Sequence, residues 1–284
     1  MKNLFSVLFM VLLGVSLITK VNAQVIEDGY KKRTAFERKP SPLPGIRESD
    51  VLWSKTIWRI IDLREKVNQQ FYYPTREMQG RNNLINTILK GINEKKITAF
   101  DASQEDDEFK LPLDSAQVKQ QFGASSKTTQ RRNIETGNME DVVIHQDMKT
   151  DEVKQLMVKE IWYFDKQTST LQVRVIGICP IRLYYREEDK NQETILRKKL
   201  FWVRYSEIRP LLAKSEALNY YNGGHNLSFD DVFISRKFDS YIVREENVYN
   251  NRTIEQYASG EYAARESERI KNDIFNYEQD LWEY

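Results

Sequence analysis

The segment DVLWSKTIWRIIDLREKVNQQFYYP, residues 50–74, is the part of the chain about which the remainder is expected to pack. Apolar residues recur at Trp53, Ile57, Ile60, Ile61 and Val67, and steps of three and four place such residues on one side of an α-helix. Trp58 and Leu63 widen the stripe, so this helix is expected to touch more than one neighbour. Ser49 is suited to the N-cap, and Asp50 to the positive end of the helix dipole. Asp62 and Lys66 are spaced for an i,i+4 ion pair, worth about 0.2–0.5 kcal/mol when exposed. Tyr72-Tyr73-Pro74 ends the helix, because the residue before a proline is pushed out of the right-handed helical region. The stretch is a core element and carries no functional information of its own.

Toward the N-terminus, Lys2, the apolar run Leu4–Ile18 and the small-residue site Val21-Asn22-Ala23 have the three parts of a secretory signal peptide spanning residues 1–23. The apolar run is shorter than the ~20 residues of a membrane span, and no cysteine near the cleavage site is available for acylation. The chain is therefore expected to be exported, without a lipid of its own. Residues 24–47 hold Lys31-Lys32-Arg33 and the run Pro40-Ser41-Pro42-Leu43-Pro44, whose alternating prolines favour an extended path. This is either a flexible leader or an arm that docks on a partner through Tyr30, Phe36 and Leu43.

Removal of Lys2 and Lys20 with the signal peptide takes the formal charge from +1 to −1. A densely charged but nearly neutral surface gives no general attraction to nucleic acid or to anionic lipid. Cys179 is the only cysteine, so stability must come from a sizeable core or from assembly rather than from disulfides.

C-terminal to the Trp-rich segment, Leu84, Ile85, Ile88, Leu89 and Ile92 predict a helix over 81–92. Residues 97–100 are a strand candidate, and Asp114 is placed to cap a short helix through Phe122. Residues 123–137 are polar and read as a mobile loop. The strongest β signal is the hairpin KEIWYF (159–164) and LQVRVIGI (171–178), in which Leu171, Val173 and Val175 alternate with Gln172 and Arg174. Cys179-Pro180 is expected to limit central pairing, with Leu183-Tyr184-Tyr185 continuing the strand beyond it. Further strands are expected at 200–205 and 238–243, and short helices at 208–218 and 229–233. Pro210 is tolerated only in a first turn. Asn222-Gly223-Gly224 is a turn. A long helix over 262–282 has Ala263, Ile270, Ile274, Tyr277 and Leu281 as its apolar seam and an i,i+4 pair at Glu261 and Arg265. The expected architecture is one α+β domain, 48–284, with helices on a small antiparallel sheet.

Catalytic chemistry requires convergent nucleophiles, bases or metal ligands. His145 and His225 lie in separate polar segments, too few for a zinc site built on His and Cys. No nucleophile elbow, zinc helix or phosphate-binding glycine loop is present. Asp230, Asp231 and Asp239 lack the spacing of a calcium loop, and Asp at a helix start explains them more simply. Trp282 at the chain end is the best interface candidate among the five tryptophans. Asp114-Ser115-Ala116 matches a short O-glycosylation acceptor, which would make Ser115 the modified residue. No catalytic, cofactor-binding or metal-binding residue is assigned, so the candidate contacts are Tyr30, Phe36, Leu43 and Trp282.

Four stretches resemble the GldN/PorN family of Bacteroidetes gliding-motility and type IX secretion proteins: residues 50–66, 159–181, 228–245 and 266–284, of which the first and last are the most specific. Residues 100–158 are the least family-like. The resemblance implies a non-enzymatic periplasmic ring subunit that associates with its own copies and is peripheral to the outer membrane. It would bind a GldK/PorK-type lipoprotein and meet GldL/GldM-type motor proteins, with no nucleic acid and no cofactor. The alternative class is a periplasmic enzyme or carbohydrate-binding module using its aromatic residues.

Overall fold

Residues 51–62 form a strand, not a helix. A computed structural model describes residues 38–78, 80–103, 107–132, 139–146, 148–185, 194–217 and 227–282; for 125–132, 139–146 and 281–282 it describes the backbone alone. Strand β1 (Val51–Asp62) is rich in β-branched and aromatic residues, the types that suit a pleated surface. From Ile57 to Asp62 it is buried on both faces, and such a strand becomes a continuous apolar run in which period two is lost. The helical spacing of Ile57, Ile60 and Ile61 arises from that run. Val67, expected in the core, is 51% exposed, and only Gln69–Tyr72 (α1) forms a helical turn before Pro74. Ser49 lies in a 3-10 turn over Glu48–Asp50 and caps no α-helix, and Asp62 pairs with Arg64 at 2.5 Å instead of with Lys66.

Helix α2 (Leu84–Asn93) follows as its pattern predicts. The Asn83 side chain accepts the N–H of Asn86, and all five predicted apolar positions are buried. Short strands β2 (Ala99–Asp101) and β3 (Pro112–Leu113) precede α3 (Ser115–Gln121), where the Asp114 N–H donates to the Gln117 side chain at 2.8 Å. Much of the expected loop 123–137 is instead strand. β4 (Ser125–Arg132) pairs antiparallel with β5 (Met139–Gln146), from Ser125 opposite Gln146 to Arg132 opposite Met139. Its polarity obscured it, because a two-stranded ribbon need not present an apolar face to a core.

The expected hairpin is present and longer, as β6 (Val153–Asp165) and β7 (Thr170–Tyr185). β7 runs through Pro180 without losing its neighbours. β9 (Phe201–Arg204) pairs with Gly177 and Ile178, β8 (Ile195–Lys199) pairs with Ile181–Tyr185, and the missing N–H of Pro180 falls where one gives way to the other. The Pro180 carbonyl still accepts the Leu200 N–H at 3.0 Å. Helix α4 (Tyr205–Lys214) starts three residues before the expected position, so Pro210 falls in its second turn. Pro210 and Ser206 are both exposed, which leaves the Ser206 carbonyl to solvent. The turn at 222–224 lies outside the described residues. Then come α5 (Phe229–Ile234), β10 (Tyr241–Glu245) and α6 (Glu261–Trp282).

The described strands of the main sheet run β10-β1-β6-β7-β9-β2-β3, with β8 also on β7, and every neighbouring pair is antiparallel. The protein is α+β, with a larger sheet than expected because the Trp-rich segment joins it. Along β1, alternate residues divide between two faces. Ile61 joins the main core beneath α2, α3, α4 and α5, and Ile57 joins a second cluster with Ile270 and Ile274 of α6. Trp58 and Ile60 face the other way, with Met157, Cys179, Ile181 and Trp202. This second face is covered by Phe109, whose ring packs edge-on against Phe100 and Trp202.

Candidate interaction surfaces

Helix α6 buries Ile270 and Ile274 against Ile57, Ile242 and Ile254, and Tyr277 stacks on Trp53 with ring centroids 4.7 Å apart. Its outer side carries the predicted Glu261–Arg265 pair at 2.7 Å and a second set in which Arg269 bonds Glu266 and Asp273. Hydrogen bonding to Glu266 raises the Arg269 guanidinium above its usual range and holds the Glu266 carboxyl below its own. Tyr262 and Phe275 remain largely exposed on the same helix.

The loop after β10 projects Val248, 90% exposed, and Tyr249. Arg252 lies 4.6 Å from the Tyr249 ring and 4.5 Å from the Tyr257 ring. Asn250 and Asn251 both have positive φ, a conformation asparagine tolerates better than most residues. They border a polar cleft of about 380 Å³ with Trp58, Asp107, Lys159 and Arg244. The Arg244 guanidinium covers the Trp58 ring at 3.7 Å and pairs with Asp107. Trp58 is thus closed to a stacking ligand.

A second concavity, about 280 Å³, lies beside β8 where β2 stops. It is lined by Asp101, Ala102, Ser103 and Gln121 on one side and by Arg197, Lys198 and Lys199 of β8 on the other. Arg197 also bonds Glu255 at 2.9 Å. Among the described strands, β8 pairs only with β7, so its far edge has no strand beside it.

Of the four contacts predicted from sequence, Leu43 alone has a described side chain. It is 40% exposed on a leader segment held to the body. Arg209 donates to the Ser41 carbonyl at 2.7 Å, Arg174 donates to that of Pro44, and Arg38 lies 3.8 Å from Glu216. Tyr30 and Phe36 lie outside the described residues, and Trp282 is described only as the backbone end of α6. His145 stands on β5 opposite Ser126, and His225 lies outside the described residues. Asp230 accepts from Tyr205 at 2.8 Å and from Arg209 at 3.0 Å, while burial pushes the Tyr205 phenol up. Asp231 closes a capping box with Ser228, as a helix-start aspartate should. Asp239 exchanges backbone bonds with the buried Asn68 side chain. Ser115 donates to the Asn93 side chain at 2.8 Å.

Sequence reasoning missed the ribbon β4–β5, the β8 notch and a buried ion cluster. Glu160, fully buried, meets Arg59 at 3.2 Å and Arg236 at 2.8 Å and accepts from the Trp162 indole at 3.0 Å. The β-branched triplet Val142-Val143-Ile144 was the available signal for the ribbon. Nothing in the sequence paired Glu160 with either arginine.

The family described as "Gliding motility associated protein GldN" matches residues 46–283. The chain belongs to the GldN family. No curated protein matches it. The GldN assignment makes the chain a component of gliding-motility machinery, in a family of structural components rather than of known enzymes. The four stretches that resemble GldN map onto β1, the β6–β7 hairpin, α5 with β10, and α6.

Proposed function

We propose that this GldN-family protein is a non-enzymatic subunit of a periplasmic ring in the type IX secretion and gliding machinery. In this reading residues 1–23 are a cleaved signal peptide, 24–47 a leader and 48–284 a single α+β domain. The domain is held at the outer membrane by a GldK/PorK-type lipoprotein and meets GldL/GldM-type motor proteins. The family match over 46–283 carries the reading. Further support comes from the described helices, none of which is long and apolar enough to cross a membrane. The exposed aromatic residues around Tyr249 and Tyr262 also suit protein contacts. The carbohydrate-binding alternative is disfavoured at Trp58, whose ring is covered by Arg244.

The test is fractionation of native cells followed by affinity capture of the tagged chain. The expected result is recovery from the outer-membrane fraction together with a lipoprotein in a large assembly. A chain recovered alone as a monomer, with that lipoprotein present in the same cells, would contradict the reading.

A further inference from the structure

We propose that the ribbon of one copy docks on the next copy by adding β5 to the open edge of β8, where it occupies the notch beside Asp101–Ser103. The inference rests on the ring reading and names the contact between ring neighbours.

Three observations converge on it. First, β4 and β5 pair with each other and with no strand of the main sheet, so each keeps one edge of N–H and C=O groups without a strand partner among the described residues. An isolated two-stranded ribbon is marginal in water, and a third strand supplies what it lacks. Neither strand contains a proline to blunt its edge. Second, the main sheet offers an acceptor. β8 has one open edge, and β2 ends short of it, leaving a concavity of about 280 Å³. An added strand would continue the sheet there by main-chain hydrogen bonding. Third, the charges match. β8 carries Arg197, Lys198 and Lys199, and β5 carries Glu140 and Asp141. β4, with Lys127, Arg131 and Arg132, is the wrong strand for that edge. Lysines on an edge strand discourage unselective pairing, so the incoming strand should bring carboxylates, as β5 does.

Eight residues of strand span roughly 26 Å, enough for a ribbon to leave one body and reach another without the two bodies overlapping. In this arrangement each copy gives the ribbon as donor and the β8 edge as acceptor, at different places in the fold. Contacts of that kind are head-to-tail and generate closed rings or open filaments rather than two-fold dimers.

The test uses full-length chains carrying different tags, expressed together in native cells. One copy carries Asp141→Cys and the other Lys198→Cys. The expected product is a disulfide between the two tags, with no homotypic Asp141→Cys dimer. In parallel, Asp141→Lys and Lys198→Glu should each weaken assembly about fivefold by sedimentation, and the chain carrying both should recover it. In the ribbon's backbone register Asp141 is opposite Gln130, a neutral residue. An internal disulfide in a chain carrying both cysteines, homotypic links, or normal assembly without any link would each overturn the ribbon assignment while leaving the ring reading standing. A chain that never assembles contradicts the ring reading itself.

Discussion

Arg59 meets Glu160 at 3.2 Å across the β1–β6 sheet, on the face where the flanking Ile57 and Ile61 are fully buried. The pair lies between the main core and the cluster beneath α6, and Arg236 reaches it from the loop after α5. Burial lowers the Arg59 pKa, and the Glu160 charge opposes that shift. Removing only the carboxylate strands the buried Arg59 guanidinium, so Glu160→Ala should cost about 3–5 kcal/mol. Replacing Arg59 and Glu160 together by methionine should cost less, because the partly exposed Arg236 can turn to solvent. Urea denaturation of the two variants decides. Equal losses would mean that the cluster acts by packing alone.

Asp62 gives the acid limb of stability. The Arg64 side chain bonds its carboxylate and holds its pKa below the usual value of 3.8, against a smaller opposing effect of burial. A carboxyl depressed in the folded state stabilises above its unfolded pKa, and that stability is lost as pH falls through the folded value. Asp62→Asn should therefore be less stable than the parent at pH 7, and the gap should narrow below about pH 4. Denaturation at a series of pH values measures the gap. A constant gap would assign the effect to the Gln155 contact instead.

Gly177 is fixed by a close approach rather than by an unusual φ. A Cβ there would lie 2.5 Å from Cζ of Phe109, the ring that covers the second face of the sheet. Gly177→Ala should destabilise by about 1–3 kcal/mol through overpacking. Phe109→Ala should cost about 3–5 kcal/mol through the void it leaves. In the double variant the methyl meets no ring, so the combined loss should fall short of the sum. Strict additivity in thermal unfolding would show that the ring moves aside without cost.

How much of this was legible in the sequence depended on exposure. α2 and α6 each turn one side to water, so their apolar periods survive in the sequence, and the half-buried Leu171–Val175 part of β7 keeps its alternation. The helix expected over 50–72 failed because β1 is buried on both faces, which erased the alternation that would have marked it. The Glu160 cluster brings together residues 59, 160 and 236 through sheet topology, which no local pattern encodes. The candidate contacts were harder still. Leu43 is outward-facing, but the β8 notch lies where β2 stops, with Asp101 opposite Phe201, and no local pattern encodes that.

Cys179 yields a prediction that reports on the centre of the sheet. It is fully buried on β7, and burial pushes its thiol up to about 12. At neutral pH only about one thiol in 10⁵ would be ionised, and the thiolate is the reactive form. The native chain should therefore show almost no reaction with a thiol-specific disulfide reagent over hours, and one equivalent on addition of urea. Because β7 lies between β6 on one side and β8 and β9 on the other, the rate in mild urea should follow unfolding of the whole sheet. Glu160→Ala should raise that rate in proportion to its loss of stability. Rapid labelling of the folded parent chain would show that β7 opens locally and that the sheet is not one cooperative unit.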